Sequence, residues 1–296
     1  MSITWLQPLV KTMRPRQWVK NGLLFIPLIF DKQLTNWPAL ARVVLGFGLF
    51  CLLSSLVYII NDLLDIEADR KHPQKSSRPI AAGKLKVSTA RIACVALIPI
   101  IFIPAIWLSR EFALIGLVYL VLNLAYSLWF KHAPILDVMI LASFYVLRVG
   151  AGVALIEVHM FSPWLYVFTT FLALFLGIGK RRAELYLLAD EANSHRKSLE
   201  GYTLPLLDQL ILIVSSSTII TYSLYTFSAP NLPANQTMML TIPFVIYGIF
   251  RYHYLVQVKH CGGEPEEVLF TDRPLQLAIL LWGLSVLVIY YLAPVA

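Results

Sequence analysis

Long uncharged stretches, cut at near-regular intervals by short charged segments, set the pattern of this chain. Residues 43–60 are uncharged between Arg42 and Asn61, 92–109 between Arg91 and Arg110, and 112–130 between Glu111 and Lys131. Residues 138–156 hold one charge, Arg148, and 162–179 end at Lys180. The stretch 209–250 is uncharged but broken by Ala-Pro-Asn-Leu-Pro-Ala-Asn-Gln at 229–236. Two helices of about 20 and 18 residues fit on either side of that break, which is the length a bilayer needs. A last run starts at Pro274 and reaches the C-terminus. The run 22–30 is shorter; to span, it must borrow from Trp18 or from the segment to Trp37, and Pro27 lies inside it. Residues 1–20 read as a basic, amphipathic lead-in with Trp5 and Trp18, suited to a membrane surface. The pattern predicts an all-α integral membrane protein with nine transmembrane helices, residues 1–296 forming one domain.

Composition agrees: 58% of residues are hydrophobic and 14% charged, which no ordinary soluble domain shows. The net charge of +7 gains meaning only from its placement. With the N-terminus in the cytoplasm, twenty of the 24 Lys and Arg residues fall in cytoplasmic segments. Lys32, Arg42 and Arg110 lie on the other side, and Arg148 lies within a span. That asymmetry is a positive-inside signal, so the basic charge marks membrane orientation, not nucleic-acid binding. The expected location is a bacterial inner (plasma) membrane, multi-pass, with its chemistry at the cytoplasmic face in loops 61–91 and 180–208. Cys51, Cys94 and Cys261 are odd in number and lack metal-ligand spacing. The first 20 residues carry Lys11, Arg14, Arg16 and Lys20 without a compact apolar core, so no signal peptide is expected. A homo-oligomer is left open.

The densest chemistry lies at Asn61-Asp62-Leu-Leu-Asp65-Ile-Glu67-Ala-Asp69-Arg70, followed by Lys71, Lys75 and Arg78. Asn61, Asp65 and Asp69 are spaced i, i+4, i+8, so a helix puts them on one face. Three oxygen donors in a row suit Mg²⁺, which leaves positions open for substrate phosphate. Lys75 and Arg78 can hold phosphate oxygens the metal does not cover. A second cluster, Gly179-Lys180-Arg181-Arg182-Ala183-Glu184, ends the sixth apolar run, four spans after the acidic one. It reads either as a membrane anchor or as a phosphate platform facing the acidic one; Glu184 is also placed to pair with Lys180. Arg148 lies eleven residues past Asp137, about 16 Å deep. A cation there needs a partner, either an acid from a dipping loop or an anionic ligand, and the reading favours the ligand. Tyr126-Ser-Leu-Trp-Phe-Lys131 is an aromatic belt or a phosphate contact, and Lys20 a surface anchor or a phosphate ligand. Asp208 and Asp272 precede apolar runs and are expected to cap helices. His72, His132 and His260 show no ligand-like grouping.

Asn61-Asp62-x-x-Asp65-x-x-x-Asp69-Arg70 with Arg78-Pro79-Ile80 downstream resembles the first aspartate-rich motif of the UbiA superfamily of intramembrane prenyltransferases. The resemblance implies a helical bundle in which Mg²⁺ holds a diphosphate substrate. The sequence departs from the family where the second motif is usually aspartate-rich; here it reads Lys-Arg-Arg-Ala-Glu at 180–184. That segment, together with 14–21, 69–83 and 126–131, resembles one branch, the decaprenyl-phosphate phosphoribosyltransferases. The branch implies a glycosyltransferase that moves 5-phosphoribose from 5-phosphoribosyl 1-diphosphate to a polyprenyl (decaprenyl) phosphate, releasing diphosphate, as a step towards lipid-linked arabinose donors for cell wall synthesis. Asn61, Asp65 and Asp69 are then the metal ligands, with Asp65 and Asp69 catalytic. Lys20, Lys75, Arg78, Tyr126, Lys131, Arg148, Lys180, Arg181 and Glu184 are the substrate-binding candidates. A donor with a phosphate at each end, joined by an acceptor phosphate, calls for more fixed cations and fewer acids than a prenyl diphosphate does. The competing readings are an aromatic prenyltransferase with a polyprenyl diphosphate donor, which leaves the missing second aspartates unexplained, and a transporter, which would explain Arg148 but not the charges crowded at one face.

Overall fold

The computed structural model describes residues 5–71, 75–158, 162–190, 199, 201–230, 232–261 and 265–292. Among them every regular element is helical, and eight helices are long and apolar enough to cross a membrane. Helix α1 (Leu6–Met13) leads into a 3₁₀ helix (Pro15–Phe25) and the short α2 (Ile26–Phe30). The first spanning helix is α3 (Trp37–Leu64), with the short α4 (Ile66–Lys71) directly behind it. There follow α5 (Val87–Leu108), α6 (Arg110–Leu128), α7 (Leu136–Val153), α8 (Pro163–Asp190) and α9 (Leu204–Ser228). A 3₁₀ turn (Thr237–Thr241) opens α10 (Ile242–Gln257), and α11 (Pro265–Thr271) precedes α12 (Arg273–Leu287).

Three spans begin in the same way. Asn36-Trp-Pro, Thr203-Leu-Pro and Asp272-Arg-Pro open α3, α9 and α12. In each, the cap side chain accepts a backbone N–H three residues on: Ala39 at 3.4 Å, Leu206 at 3.3 Å and Leu275 at 2.9 Å. Proline at the second helical position has no N–H to leave unsatisfied and a φ already set for the helix. Asp272 therefore caps as expected. Asp208 does not: the Thr203 cap starts α9 earlier and leaves Asp208 inside it. The run 22–30 also differs from a continuous α-helix, being 3₁₀ up to Phe25 and α-helical only over Ile26–Phe30. Helix α8 continues past Lys180 to Asp190, so the Lys180–Glu184 cluster is helical and not part of a loop. Residues 72–74, with His72, and 191–198 of the basic segment lie outside the described residues.

The chain divides into two compact units. The first comprises Met1–Leu28, Gln33–Leu128 and Leu147–Glu157; the second comprises Ile29–Lys32, Trp129–Val146 and Val158–Ala296. In the first, α3 packs against α5, the 3₁₀ helix and α1. Phe50 of α3 meets Tyr119 of α6 at 4.9 Å between ring centroids. Gly152 fits where no other residue could: a Cβ there would lie 2.2 Å from the Leu24 carbonyl oxygen. In the second unit α8 lies along α9, and α10 joins α12. Their shared core holds Val138, Phe175, Ile178, Leu207, Ile211 and Ile249. The buried Tyr222 hydroxyl is satisfied within this core: it bonds Thr241 at 2.6 Å and accepts the Trp282 indole N–H at 2.7 Å.

Large apolar side chains also face outward, among them Trp107 (88% exposed), Trp37 (77%), Ile92 and Val95 (both 70%). Such a surface is unsuited to water and suited to lipid. The chain is a multi-pass membrane protein.

Candidate active site

The acidic motif lies where α3 ends and α4 begins. Asp65 leaves helical dihedrals (φ −95°, ψ 11°) and closes α3. The hydrogen-bond register nevertheless survives the junction: Asp65 N donates to Asn61 O at 2.9 Å, and Asp69 N to Asp65 O at 2.8 Å. The i, i+4, i+8 relation of Asn61, Asp65 and Asp69 is thereby kept.

Cations close around this end. Asp62, 2% exposed, accepts Arg14 Nη2 at 2.6 Å and Arg78 Nη1 at 3.2 Å on one oxygen, Oδ1. The same Arg78 nitrogen reaches Asp69 Oδ2 at 2.7 Å. Asp62 Oδ2 is buried with no hydrogen-bond partner among the described residues. Asn61 Oδ1 accepts the Ser127 hydroxyl at 2.8 Å. With both arginines removed, the Asp62 carboxylate would be an uncompensated buried charge. Arg14 sits at φ 52°, just past α1, and its guanidinium also covers the Tyr58 ring at 4.7 Å. Trp18 Nε1 donates to Ser55 Oγ at 3.0 Å. The N-terminal segment is thus fixed to α3 by side chains on both sides of the 3₁₀ start. Lys75 opens a 3₁₀ turn (Lys75–Ser77), whose carbonyl at Lys75 accepts Arg78 N at 3.0 Å.

Arg148 is buried in the same unit, 4% exposed. Its Nε donates to Asn21 Oδ1 and its Nη2 to the Tyr119 hydroxyl, both at 2.8 Å. The guanidinium lies over the Tyr119 ring at 5.0 Å and the Phe50 ring at 5.9 Å. Fully buried Asn21 passes its own N–H groups to Ser54 Oγ (3.2 Å) and Cys51 Sγ (3.3 Å). A mid-span cation is therefore bound by an amide oxygen, a phenol oxygen and two aromatic faces. Lys20, next to Asn21, is carried on the 3₁₀ helix, and Tyr126 is half-buried on α6.

The basic cluster belongs to the second unit. Arg181, 6% exposed, donates Nε to Asp137 Oδ2 at 2.7 Å and Nη1 to Glu184 Oε2 at 2.6 Å. The described ion pair of Glu184 is thus with Arg181, three residues before it. Arg182 donates to Asp208 Oδ1 at 2.6 Å and to the Val256 carbonyl at 3.2 Å. Asp208, inside α9, thus serves as the carboxylate partner of Arg182. Tyr202 donates to Asp137 Oδ1 at 2.6 Å. Burial, helped by that carboxylate, pushes the Tyr202 phenol well above its usual range, so it stays a donor. Lys131 is half-buried on a 3₁₀ turn (Phe130–His132) and Lys180 on α8.

Of the expected residues, Lys20, Asn61, Asp65, Asp69, Lys75, Arg78, Tyr126 and Arg148 belong to the first unit; Lys131, Lys180, Arg181 and Glu184 belong to the second. Within the first, Arg78 meets Asp69, and backbone hydrogen bonds set Asn61, Asp65 and Asp69 on successive turns. Arg14, Asn21 and Asp62 stand in segments read as motifs but were given no role of their own, and Tyr119, Asp137 and Tyr202 were not candidates. One signal was available for Asp137: it is the sole acid between Glu111 and Glu157.

The oxygen donors at 61–69 suit a hard divalent cation. Among the described residues no three His, Cys, Asp or Glu side chains gather as a metal-binding group. Two carboxylates and an amide fit Mg²⁺, which commonly takes one or two protein carboxylates and completes its shell with water and substrate phosphate. Arg78 engages one oxygen of Asp69, and Asp62 Oδ2 is an unsatisfied buried oxygen beside it.

The chain is 36% identical over 277 residues to the decaprenyl-phosphate phosphoribosyltransferase of Mycobacterium tuberculosis (strain CDC 1551 / Oshkosh), covering 92% of this chain and 91% of that one. It is 36% identical over 296 residues to the protein of the same name from Corynebacterium glutamicum, covering 97% and 87%. A UbiA homologue from Archaeoglobus fulgidus, solved with GPP and Mg²⁺ bound, has the same fold, with a TM-score of 0.72 at 21% identity over 96% of this chain and 99% of that one. The model of the UbiA prenyltransferase family matches residues 28–266, and with the acidic helix end, the helical fold and these relatives in agreement, the chain belongs to that family.

Proposed function

We propose that the protein transfers 5-phosphoribose from 5-phosphoribosyl 1-diphosphate to a polyprenyl phosphate, decaprenyl phosphate by its relatives' name. The observation that carries this reading is the unequal chemistry of two polar clusters. The α3–α4 junction carries Asn61, Asp65 and Asp69, while α8 carries Lys180-Arg181-Arg182. A donor with two phosphorylated ends and an acceptor with a third calls for cations at a position where a prenyl diphosphate donor would call for further acids.

In this reading Asn61, Asp65 and Asp69 would hold Mg²⁺, which when bound neutralises charge on the diphosphate. Arg78 steadies Asp69 and offers its remaining N–H groups to phosphate oxygens. Lys20 and Lys75 in the first unit, and Lys131 and Lys180 in the second, are each proposed as a phosphate ligand. Arg181 orients Glu184, and Tyr126 and Arg148 complete the substrate-binding set. The bond from ribose C1 to the diphosphate oxygen breaks, and its electron pair leaves with diphosphate. A phosphate oxygen of the lipid forms the new bond to C1. This nucleophile is already anionic, so no strong general base is required.

The same reading places the reaction at the cytoplasmic face of a bacterial inner membrane, with the N-terminus cytoplasmic and residues 1–296 acting as one domain. The 3₁₀ segment and α2 would supply the ninth crossing. Eleven 3₁₀ residues rise about 22 Å and five α-helical residues about 7.5 Å, together about the 30 Å of a hydrocarbon core.

The test is a transfer assay with the purified chain, Mg²⁺ and a polyprenyl phosphate. One arm receives labelled 5-phosphoribosyl 1-diphosphate; the other receives labelled prenyl diphosphate and 4-hydroxybenzoate. The expected result is label in the lipid from the first arm only, lost when Mg²⁺ is chelated. Label on the aromatic acceptor would overturn the reading.

A further inference from the structure

We infer that Tyr202, Asp137 and Arg181 form a positioning device that fixes the 129–136 segment, and with it Lys131, for a phosphate of the substrate. The inference rests on the phosphoribosyl-transfer reading.

It begins at Ile135. This residue has φ 70°, a left-handed backbone that a β-branched side chain tolerates poorly. Its side chain is 53% exposed, so packing does not offset the strain. A hydrogen bond holds it instead: the Ile135 N–H donates to the Tyr202 hydroxyl at 2.6 Å. The hydroxyl in turn donates to Asp137 Oδ1 at 2.6 Å, and Asp137 Oδ2 accepts Arg181 Nε at 2.7 Å. Asp137 is fully buried, and Tyr202 and Arg181 are each 6% exposed. The tyrosine uses its donor and an acceptor site at once, which a phenylalanine could not do.

A second grip lies one residue earlier. Gly201 sits at φ 99°, and a Cβ there would lie 2.9 Å from Pro134 Cγ. Gly201 and Tyr202 thus clasp Pro134 and Ile135 as one unit, while Arg181 ties the clasp to α8. A helix start needs none of this; Ser, Thr, Asn or Asp would cap α7 without strain. What the clasp does fix is the path of the short chain that carries Lys131, four residues before Ile135. Strain retained by surrounding structure points to a position that must not drift. The device also gives the basic end of α8 a use beyond direct contact, because Arg181 acts on Lys131 through Asp137 and Tyr202.

Two readouts on the purified full chain test this with Tyr202→Phe, which keeps the ring and removes the hydroxyl. Amide hydrogen exchange over 131–137 is expected to quicken, with the middle of α9 unchanged. In phosphoribosyl transfer, KM for one phosphate substrate is expected to rise about tenfold, with kcat within about twofold, the scale of one charged hydrogen bond. Lys131→Ala should raise the same KM, and the double variant should be no worse than Lys131→Ala by itself. Unchanged exchange, or losses that multiply in the double variant, overturns the device. If the wild-type chain transfers no phosphoribose, the functional reading fails, and the exchange measurement still decides whether Tyr202 holds the segment. Should Tyr202→Phe not fold, Gly201→Ala, which pushes on Pro134 from an exposed turn, carries the same two expectations.

Discussion

Asp272 illustrates how one carboxylate serves two roles that substitution can separate. It caps α12 through Leu275 N at 2.9 Å and pairs with Arg251 at 2.8 and 3.1 Å. The hydrogen bond from Arg251 holds its carboxyl below the usual carboxylate range. A folded-state pKa below the unfolded one stabilises the fold above the ordinary carboxylate pKa and loses that contribution as pH falls through the lowered value. Asp272→Asn keeps a capping oxygen and removes the charge. Its melting temperature should therefore fall less than the wild type's between pH 7 and about pH 3; parallel pH profiles would show that the charge contributes nothing. At this scale the sequence was partly legible. Asn61, Asp65 and Asp69 could be placed on one face because local i, i+4 geometry decides it. The companions of Arg148 could not, since Asn21 and Tyr119 are 127 and 29 residues away and reach it only through packing. Asp208 does not cap, because Thr203 starts α9 earlier, and its partner Arg182 is 26 residues away.

Elements followed the hydrophobic pattern where runs were long. The break at 229–236 does separate α9 from the turn that opens α10, and the spans from α3 to α12 lie where charge-free stretches predicted them. Short, mixed stretches did not yield their form, because periodicity over nine residues does not tell a 3₁₀ helix from an α-helix. The 3₁₀ helix is held by close approach as well as by hydrogen bonds, and Gly152 measures that closeness. Gly152→Ala would drive a methyl into the Leu24 backbone, and backbone cannot rotate away. It should destabilise by about 1–3 kcal/mol or more, read as a lower melting temperature and a smaller monodisperse fraction in detergent. Gly22→Ala is the control: a Cβ there has nothing within 4 Å and should leave both measures near wild type. Equal behaviour of the two variants would remove the argument from packing.

At the scale of the whole molecule, charge placement makes a claim that the local geometry of neither unit depends on. Twenty of 24 Lys and Arg residues fall on one side of the expected membrane, and that is the side assigned to the cytoplasm. The three native cysteines offer a probe. Cys51 is buried, Cys94 is half-buried on α5, and Cys261 is exposed just after α10. In a Cys94→Ser background, a membrane-impermeant thiol reagent should label Cys261 in inside-out vesicles and not in right-side-out ones. Asn235→Cys, added with Cys261→Ser at the exposed turn before α10, should label in the opposite set. The two sites flank one spanning helix, so a true crossing requires opposite answers. Labelling of Cys261 from outside would reverse the orientation, and with it the side from which a water-soluble sugar diphosphate reaches the acidic end of α3. Labelling of both sites in one set would mean that the Thr237–Gln257 helix does not cross. Only the expected outcome joins the orientation drawn from the charges to a water-soluble donor that meets a membrane-held acceptor at the cytoplasmic face.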